Sequence, residues 1–241
     1  MKQLATALAS TFFLCAAFAV AEPRVYTTSF EDVSDFDGFY IVPQDHKGAR
    51  SHDLSTEQIR SARYAHKGWI YGENRGSTLF RNNNHRAYPT EQLYKLAGGG
   101  SKIPVEIEFW VWLDMESAAE EWLSLATLDR STSVQWDPVL VNLSDAGFVH
   151  LMHVPRNGQG VRTFQTDTTN FPMRQWVKLN VRLHFDAKEG YAEVRQNDRL
   201  VSSAEVLRGD GLFTQAHLGL YAPPLMTHGV VYNDDLIITE I

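Results

Sequence analysis

A basic and aromatic segment from Arg60 to Lys95 contains the residue types best suited to hold and act on an anionic ligand. Within it Lys and Arg outnumber Asp and Glu by seven to two, whereas the whole chain has 22 basic and 29 acidic residues. A concentrated positive field attracts anions, and the interleaved His, Tyr and Trp rings add flat apolar faces with a polar edge. The segment predicts an extended anionic ligand, first of all an acidic polysaccharide. The alternative is a set of solvated strand faces whose cations pair with acids elsewhere.

The chemistry that these residue types support on an acidic polysaccharide is β-elimination from a uronic acid. One group must neutralise the carboxylate so that the C5 proton becomes acidic, a base must take that proton, and an acid must protonate the leaving oxygen. Arg, Asn, Gln and His suit the first role, His, Tyr and Lys the second, and Tyr the third. The predicted catalytic residues are His85 or Tyr88 as the base, with Arg81, Arg86 or Gln92 offsetting the carboxylate charge.

These candidates fall on one short predicted strand. Residues two apart on a strand share a face, so the even-numbered residues from Arg86 to Tyr94 would point to the same side. Pro89 interrupts this run, which is typical of an edge strand or a bulge. Further substrate contacts are predicted from Asn84, Tyr94, Lys95, Tyr71, Arg75 and His153.

A second pattern raises glycoside hydrolysis as an alternative activity. Hydrolysis needs two carboxylates on either side of the scissile bond, about 5–9 Å apart, and Glu106 and Glu108 would share one strand face. This spacing is similar to the E-x-D-x-E pattern of glucanases, but Trp110 stands where the second catalytic acid would be. The other interpretation is that both carboxylates pair across strands with Lys178 and Arg182.

The first residues predict export. Lys2 precedes an apolar run from Leu4 to Val20, and an A-x-A sequence ends at Ala21, which together are typical of a secretory signal peptide cleaved after Ala21. The leader has a bacterial form, so the expected destination is the periplasm or the medium. Cys15 is the single cysteine and lies in this leader. The mature chain is therefore expected to have neither disulfides nor thiol catalysis.

The remaining residues, 22–241, predict one β-sandwich domain. Apolar and polar residues alternate with period two from Val105 to Leu113 and again from Val177 to Phe185, which indicates strands with one buried face. The segment from Ser55 to Ala65 is the best candidate for a helix, and its helical pattern is weak. Many short strands in a chain of this length predict an all-β, two-sheet antiparallel sandwich. The predicted core is Val105, Ile107, Phe109, Val111, Val177, Leu179, Val181 and Leu183.

Several runs resemble the concanavalin A-like (laminin-G-like) jelly roll. They are Gln175 to Val181, the DAKEG turn at 186–190, the QNDRLV turn at 196–201, the closing run Val231 to Ile238 and the opening run Thr28 to Asp32. The resemblance implies a curved two-sheet fold, paired first and last strands, and a concave face that binds saccharides. The superfamily includes lectins, glucanases and polysaccharide lyases, and many of the lyases use His and Tyr with Arg, Asn or Gln. No lyase motif such as the Q-I-H of alginate lyases is reproduced here.

The same resemblance implies a structural calcium ion near the paired termini. Asp234 and Asp235 enter the last predicted strand and could join Glu31 or Asp32 around a hard cation, with backbone carbonyls completing a shell of oxygens. The alternative is that these residues are ordinary turn acids.

Two classes of function follow from the sequence. The first is an exported lyase of a uronate-containing polysaccharide, and the second is a non-catalytic saccharide-binding domain of the same fold. The expected partner is an acidic polysaccharide, and a monomer without a membrane span is expected. Nucleic acid is not an expected partner, because the chain is acidic and carries an export signal. The chain has no zinc, P-loop, dinucleotide-binding or esterase motif.

Overall fold

The computed structural model describes residues 22–32, 35, 39–40, 52–70, 85–87, 90–91, 100–115, 123–129, 137–155, 162–206, 212–222 and 229–241. All regular elements in these ranges are β-strands, so the predicted all-β class is confirmed, and none of them is a helix able to cross a membrane. The strands are β1 (Val25–Thr28), β2 (Phe39–Tyr40), β3 (His52–Ser55), β4 (Ala65–Ile70), β5 (His85–Ala87), β6 (Thr90–Glu91), β7 (Ser101–Lys102), β8 (Val105–Met115), β9 (Leu123–Asp129), β10 (Val139–Leu143), β11 (Val149–His153), β12 (Arg162–Phe164), β13 (Trp176–His184), β14 (Tyr191–Gln196), β15 (Arg199–Glu205), β16 (Leu212–Phe213), β17 (Gln215–Ala222) and β18 (Gly229–Glu240).

Two antiparallel sheets form the described fold. Sheet A has the order β15-β14-β13-β8-β18-β4-β3, with β1 also paired to β18. Sheet B has the order β12-β11-β10-β9-β17-β6-β2, with β5 also paired to β17, and β16 pairs with β7 in a small separate ladder. One apolar cluster contains residues from both large sheets. The predicted two-sheet sandwich is therefore confirmed, together with the pairing of the first and last strands.

Alternation along β8 and β13 builds the centre of sheet A. All eight residues of the predicted core are 0% exposed, and the register places them side by side, for example Leu179 opposite Phe109 and Val181 opposite Ile107. Directly opposite residues lie on the same face of a sheet. The polar residues between them consequently face outward on both strands.

Two predicted hairpin turns are also present, each for a local chemical reason. The Asp186 carboxylate accepts the N–H groups of Lys188 (2.7 Å) and Glu189 (3.0 Å), which closes the turn between β13 and β14. Asn197 and Asp198 have φ angles of 47° and 68° between β14 and β15. Positive φ at both central residues is the requirement of a type I′ turn, the form that matches the twist of a hairpin.

The predicted helix between Ser55 and Ala65 is wrong. Residues 56–64 form bends that connect β3 to β4, and Ala62 has a φ of 48°, which lies outside the right-handed helical region. The backbone N–H groups of this segment bind carboxylates from distant parts of the chain, Asp234 and Glu31, instead of carbonyls of their own turn. These long-range bonds override a weak local helical preference.

A buried serine joins one edge of sheet A to one edge of sheet B. Ser202 on β15 is 0% exposed. Its hydroxyl accepts the N–H of Leu151 (3.2 Å) and donates to the carbonyl of Phe164 (2.6 Å), which belong to β11 and β12. One side chain therefore satisfies two backbone groups of the facing sheet.

Replacing this serine should destabilise the sandwich. In Ser202→Ala two buried backbone groups lose their partner, so the free energy of unfolding should fall by about 1–3 kcal/mol. Ser203→Ala is the matched control, because Ser203 is the next residue on the same strand and is partly exposed; it should stay within about 0.5 kcal/mol of the wild type. Urea unfolding measures both variants, and equal stability of the two would contradict the role assigned to Ser202.

Candidate functional site

Sheet B has a second, polar face opposite the core. On β10, β11 and β17 the residues of one parity enter the main apolar cluster, and those of the other parity point away from it. We call the second side the polar face. Burial of polar groups is costly unless they are paired, so a concentration of them on one face requires an explanation. Its buried polar residues in the described ranges are Ser124, Thr127, Asp129, Asn142, His150, His217 and Tyr221, each less than 10% exposed.

The strand register arranges part of the polar face in a row. His150 lies opposite Asn142, Asn142 opposite Ser124, and Ser124 opposite Tyr221. The backbone of Arg86 on β5 is the next register partner of Tyr221. Neighbouring strands are about 4.8 Å apart, so the four steps of this row cover about 19 Å across the sheet. An imidazole, an amide, a hydroxyl and a phenol thus follow one another at strand spacing.

A second row runs parallel to the first. Met152 lies opposite Leu140, Leu140 opposite Thr127, Thr127 opposite His217, and His217 opposite the backbone of Thr90 on β6. The β11 end of this row is apolar, where Leu140 and Met152 pack with Tyr221 in a small cluster separate from the main core. The polar face therefore combines apolar surface at one end with imidazole and hydroxyl groups toward the other.

Bulges bring the two rows together. The register shifts between Val141 and Asn142 where β10 pairs with β9, and again between Leu218 and Tyr221 where β17 pairs with β9. Gly219, inside the second shift, has a φ of 142°, which side-chain-bearing residues rarely adopt. The Ser124 and Thr127 hydroxyl oxygens are 3.2 Å apart as a result. β-Bulges often re-aim side chains beside active sites.

Asn142 contributes an amide to the polar face. It is 0% exposed, and its Nδ2 lies 3.6 Å from the sulfur of Met152. Its Oδ1 is buried and has no hydrogen-bond partner among the described residues. A buried amide oxygen without a donor costs about 1–3 kcal/mol, and a ligand that supplies a donor would recover that cost.

His150 contributes a ring nitrogen that can accept a proton. Burial lowers the pKa of His150 below its ordinary value of 6.5, partly opposed by a bond to the Phe148 carbonyl. That carbonyl lies 3.4 Å from Nδ1, which favours the tautomer with hydrogen on Nδ1 and a lone pair on Nε2. The imidazole is therefore neutral at neutral pH and can act as a base through Nε2.

Most of the catalytic and binding residues predicted from the sequence lie outside the described residues. For His85 and Arg86 the structure gives the backbone, which pairs with β17 at Ala222 and Tyr221, next to the polar face. Strands β5 and β6 lie on either side of Pro89, the expected interruption. The predictions for these residues stay predictions. The residues outside the described ranges are Arg81, Tyr88, Gln92, Asn84, Tyr94, Lys95, Tyr71 and Arg75.

His153 lies on the core side of β11, whereas a substrate contact would have to lie on the polar face. Its ring is on the core side of β11, the side opposite His150, and is 4% exposed. Nε2 lies 3.0 Å from Oδ1 of Asp137, which is also buried. His153 is therefore a structural histidine whose ring is satisfied by Asp137.

The two carboxylates considered for hydrolysis are engaged on the outer face of sheet A. Glu106 accepts hydrogen bonds from Asn180 (2.7 Å) and Arg182 (3.1 Å), and Glu108 lies 3.8 Å from the ammonium of Lys178. The cross-strand interpretation is therefore confirmed. Since these groups lie on the opposite sheet from the polar face, they cannot join its chemistry.

The acids considered for calcium hold the segment 56–64. Asp234 accepts the backbone N–H groups of Arg60 and Ser61, both at 3.1 Å. Asp235 accepts the Arg60 guanidinium at 2.6 Å and the Ser61 hydroxyl at 2.7 Å. Burial raises the pKa of Asp234 to about 6, although the N–H bonds favour its charged form.

Glu31 has comparable partners, whereas the contact described for Asp32 is made by its backbone. Glu31 accepts the N–H groups of Arg63 (2.9 Å) and Tyr64, and the N–H of Asp32 donates to the Asp35 carboxylate at 3.2 Å. In the part of the chain that the structure describes, no three His, Cys, Asp or Glu residues form a group able to hold a metal ion. Calcium binding therefore stays a prediction.

Comparisons with known proteins agree on the fold. The chain is similar to the solved structure of the cellulose-induced protein Cip1, with 13% identity, a TM-score of 0.56, and coverage of 88% of this chain and 96% of that chain. It is also similar to the alginate lyase Aly36B, with 12% identity, a TM-score of 0.55, and coverage of 92% and 98%.

No protein-family model matches the chain, and no curated protein matches it significantly. At such low identity a structural likeness shows the fold alone. The resemblance to a concanavalin A-like jelly roll is therefore confirmed as a likeness of fold, and the function must be argued from the polar face.

The buried imidazole of His150 predicts a pH dependence. Because its pKa in the folded protein is below the unfolded value, the neutral form favours folding. Its contribution should be fully present above about pH 6.5 and should fall as the pH drops through the folded pKa. NMR titration of the ring and unfolding free energies between about pH 5 and pH 8 test this. His150→Gln should remove that part of the slope, and a ring pKa at or above 6.5 in the wild type would contradict it.

The calcium prediction has a direct thermal test. If calcium binds the native state, a hundredfold excess over Kd should stabilise it by about 2.7 kcal/mol. A chelator should then lower Tm, calcium should restore it, and Asp235→Asn should abolish the difference. Asp145→Asn, which changes an exposed turn acid, is the control that should retain it. An unchanged Tm after thorough chelation of the wild type would count against the site.

Proposed function

We propose that this protein is a polysaccharide lyase that cleaves a uronate-containing polysaccharide by β-elimination on the polar face of sheet B. The observation that carries the proposal is the row from His150 through Asn142 and Ser124 to Tyr221, continued by the backbone of Arg86. Its residues supply the base, the amide and the phenol that β-elimination needs.

The proposed roles follow from the chemistry of each side chain. Nδ2, the donor end of the Asn142 amide, and the cation that the sequence provides at Arg86 hold the uronate carboxylate and disperse the negative charge that develops on it. The unpartnered Oδ1 of Asn142 accepts from a sugar hydroxyl. Nε2 of His150 takes the C5 proton, because the imidazole is neutral and its Nδ1 faces the Phe148 carbonyl. Tyr221 donates its phenolic proton to the leaving oxygen at C4. Since three strand steps, about 14 Å, separate the backbones of His150 and Tyr221, both side chains must lean toward Asn142 to reach one sugar unit, and the Tyr221 ring packs in that direction, with Leu140 and Met152.

The reaction balances without an added reactant. The C5–H bond breaks and its electrons form a double bond between C4 and C5, while the C4–O bond breaks and its oxygen receives the Tyr221 proton. The products are a shortened chain and a fragment with an unsaturated uronate at its new end. The proton gained by His150 returns to Tyr221 through solvent before the next cycle.

The extent and charge of the row favour a polymer of uronates. A row that covers about 19 Å of sheet is long enough to contact several sugar units of an extended chain at once. The four described side chains of the row include no carboxylate, and the backbone of Arg86 lies opposite Tyr221. An anionic chain therefore meets no like charge on these four residues, whereas a carboxylate of the same face, Asp129, lies two residues beyond Thr127 of the second row. Export, predicted from residues 1–21, is part of the same proposal, because it would bring the protein to such a polymer outside the cell.

Two conservative substitutions test the catalytic assignment. His150→Gln and Tyr221→Phe should each lower the rate of unsaturated-uronate formation by about 10²–10⁴, the usual contribution of a general acid or base. His184→Gln is the control, because His184 lies on the outer face of sheet A against Tyr191; it should retain wild-type rates. The ultraviolet absorbance of the new double bond measures the rate on alginate, glucuronan, ulvan, pectate and glycosaminoglycans.

Full activity of both variants on a substrate that the wild type cleaves would show that the site is misplaced, provided that their Tm values match the wild type. Binding of a uronate polymer by the wild type without any unsaturated product would overturn the lyase and favour a saccharide-binding domain. Equal loss of activity in the His184→Gln control would show a general structural effect instead of a catalytic one.

A further inference from the structure

A cleft of about 440 Å³ opens on the outer face of sheet A, on the opposite sheet from the polar face. Its lining comes from the end of β1, the middle of β8, the bulged part of β18 and the segments near Asp35 and Arg60. Sites for small ligands have volumes of about 300–1,000 Å³. The cleft is thus large enough for a ligand of one or two sugar units, and nothing in the proposed lyase chemistry uses it.

The floor of the cleft is flat and amphipathic. The register places Thr27 opposite Ile237 and Ile237 opposite Glu108, so a hydroxyl, an aliphatic chain and a carboxylate lie side by side on three strands. Trp110 lies two residues after Glu108 and so shares its face of β8. An apolar floor bordered by hydrogen-bonding groups results.

One wall of the cleft is fixed by a cation–π contact. The guanidinium carbon of Arg60 lies 3.8 Å from the centre of the Trp110 ring. The same guanidinium donates to Asp235 at 2.6 Å. These two contacts hold Arg60 and the indole together, so this side of the cleft is formed before any ligand binds, which lowers the entropic cost of binding.

The charge of the cleft selects against uronates. Its lining carries three carboxylates, on Asp35, Glu108 and Asp235, and one cation, Arg60, so the formal charge is 1 − 3 = −2. Arg60 neutralises Asp235, whereas the cation that faces Glu108 among the described residues, Lys178, lies farther away, at 3.8 Å. Acidic sugars would meet repulsion here, and carboxylates that accept hydrogen bonds suit hydroxyl groups well.

We propose that this cleft binds an uncharged sugar unit, as a second saccharide site separate from the polar face. A pyranose ring has an apolar C–H face and a rim of hydroxyl groups. The C–H face matches the aliphatic side chain of Ile237, and the hydroxyl rim matches Glu108, Asp35 and the hydroxyls of β1. This site does not depend on the lyase proposal, because it is formed by other strands and has the opposite charge preference.

Calorimetry with neutral tetrasaccharides tests the site. Cellotetraose, mannotetraose, xylotetraose and maltotetraose are titrated into the full-length mature protein, with tetragalacturonate as the acidic counterpart. At least one neutral tetrasaccharide should bind with a Kd of about 1 mM or tighter, and tetragalacturonate should not compete for that site. Binding should change the fluorescence of the wild type, and Trp110→Phe should abolish that change.

Matched variants locate the binding. Glu108→Gln should weaken binding at least about tenfold, because a charged hydrogen-bond acceptor is lost. Glu106→Gln is the control, since Glu106 lies two residues away on the same face of β8 and outside the cleft; its Kd should equal that of the wild type. Tyr221→Phe on the polar face should leave the Kd unchanged as well.

Three results would overturn the proposal. The first is no detectable binding of any neutral tetrasaccharide by the folded wild type. The second is equal weakening by Glu108→Gln and Glu106→Gln, and the third is loss of neutral-sugar binding in Tyr221→Phe, which would assign the ligand to the polar face. Failure of lyase activity alone would leave the binding result standing, so the two proposals are tested separately.

Discussion

Shared burial between the two sheets is the constraint on which the rest of the structure depends. Each long strand gives one set of alternate side chains to a common core, as Phe109 and Leu179 do in sheet A. Fully burying one such side chain contributes about 1.5–3 kcal/mol, and a slip of one residue would turn every side chain to the other face. The same alternation therefore fixes the polar face of sheet B and the cleft on sheet A.

The buried polar groups of the polar face lower the free energy of unfolding that the shared core provides. Asn142 is fully buried with an amide oxygen that has no partner among the described residues, and His150 is buried at the cost of a lowered pKa. A fold selected for stability alone would place apolar or solvated residues at these positions. Natural proteins keep such groups where function requires them, and the neighbouring bulges at Asn142 and Tyr221 are of the kind found beside active sites.

The sequence predicted those parts of the molecule that local patterns determine. Strands β8 and β13 alternate clearly because each has one outward polar face, and the Asn197-Asp198 turn has its own signature. Strands β9 and β10 are buried on both sides. Their sequences therefore lack a clear alternation of polar and apolar residues that would mark Ser124 and Asn142 as members of a separate face. His217 and Tyr221 lie four residues apart in one strand, on either side of Gly219. This even spacing could have predicted that both side chains lie on the same face. The helix predicted between Ser55 and Ala65 is wrong because the hydrogen-bond partners of residues 56–64, such as Asp234, are distant in sequence.

If the proposed function is right, an acidic polysaccharide binds to the polar face of sheet B. The most direct measurement is an NMR titration of the isotope-labelled protein with a uronate oligosaccharide, in which backbone amide shifts are followed residue by residue. The largest changes should cluster on β9, β10, β11 and β17, around Asn142, His150 and Tyr221. Changes confined to sheet A, or no change with any uronate oligosaccharide, would contradict it.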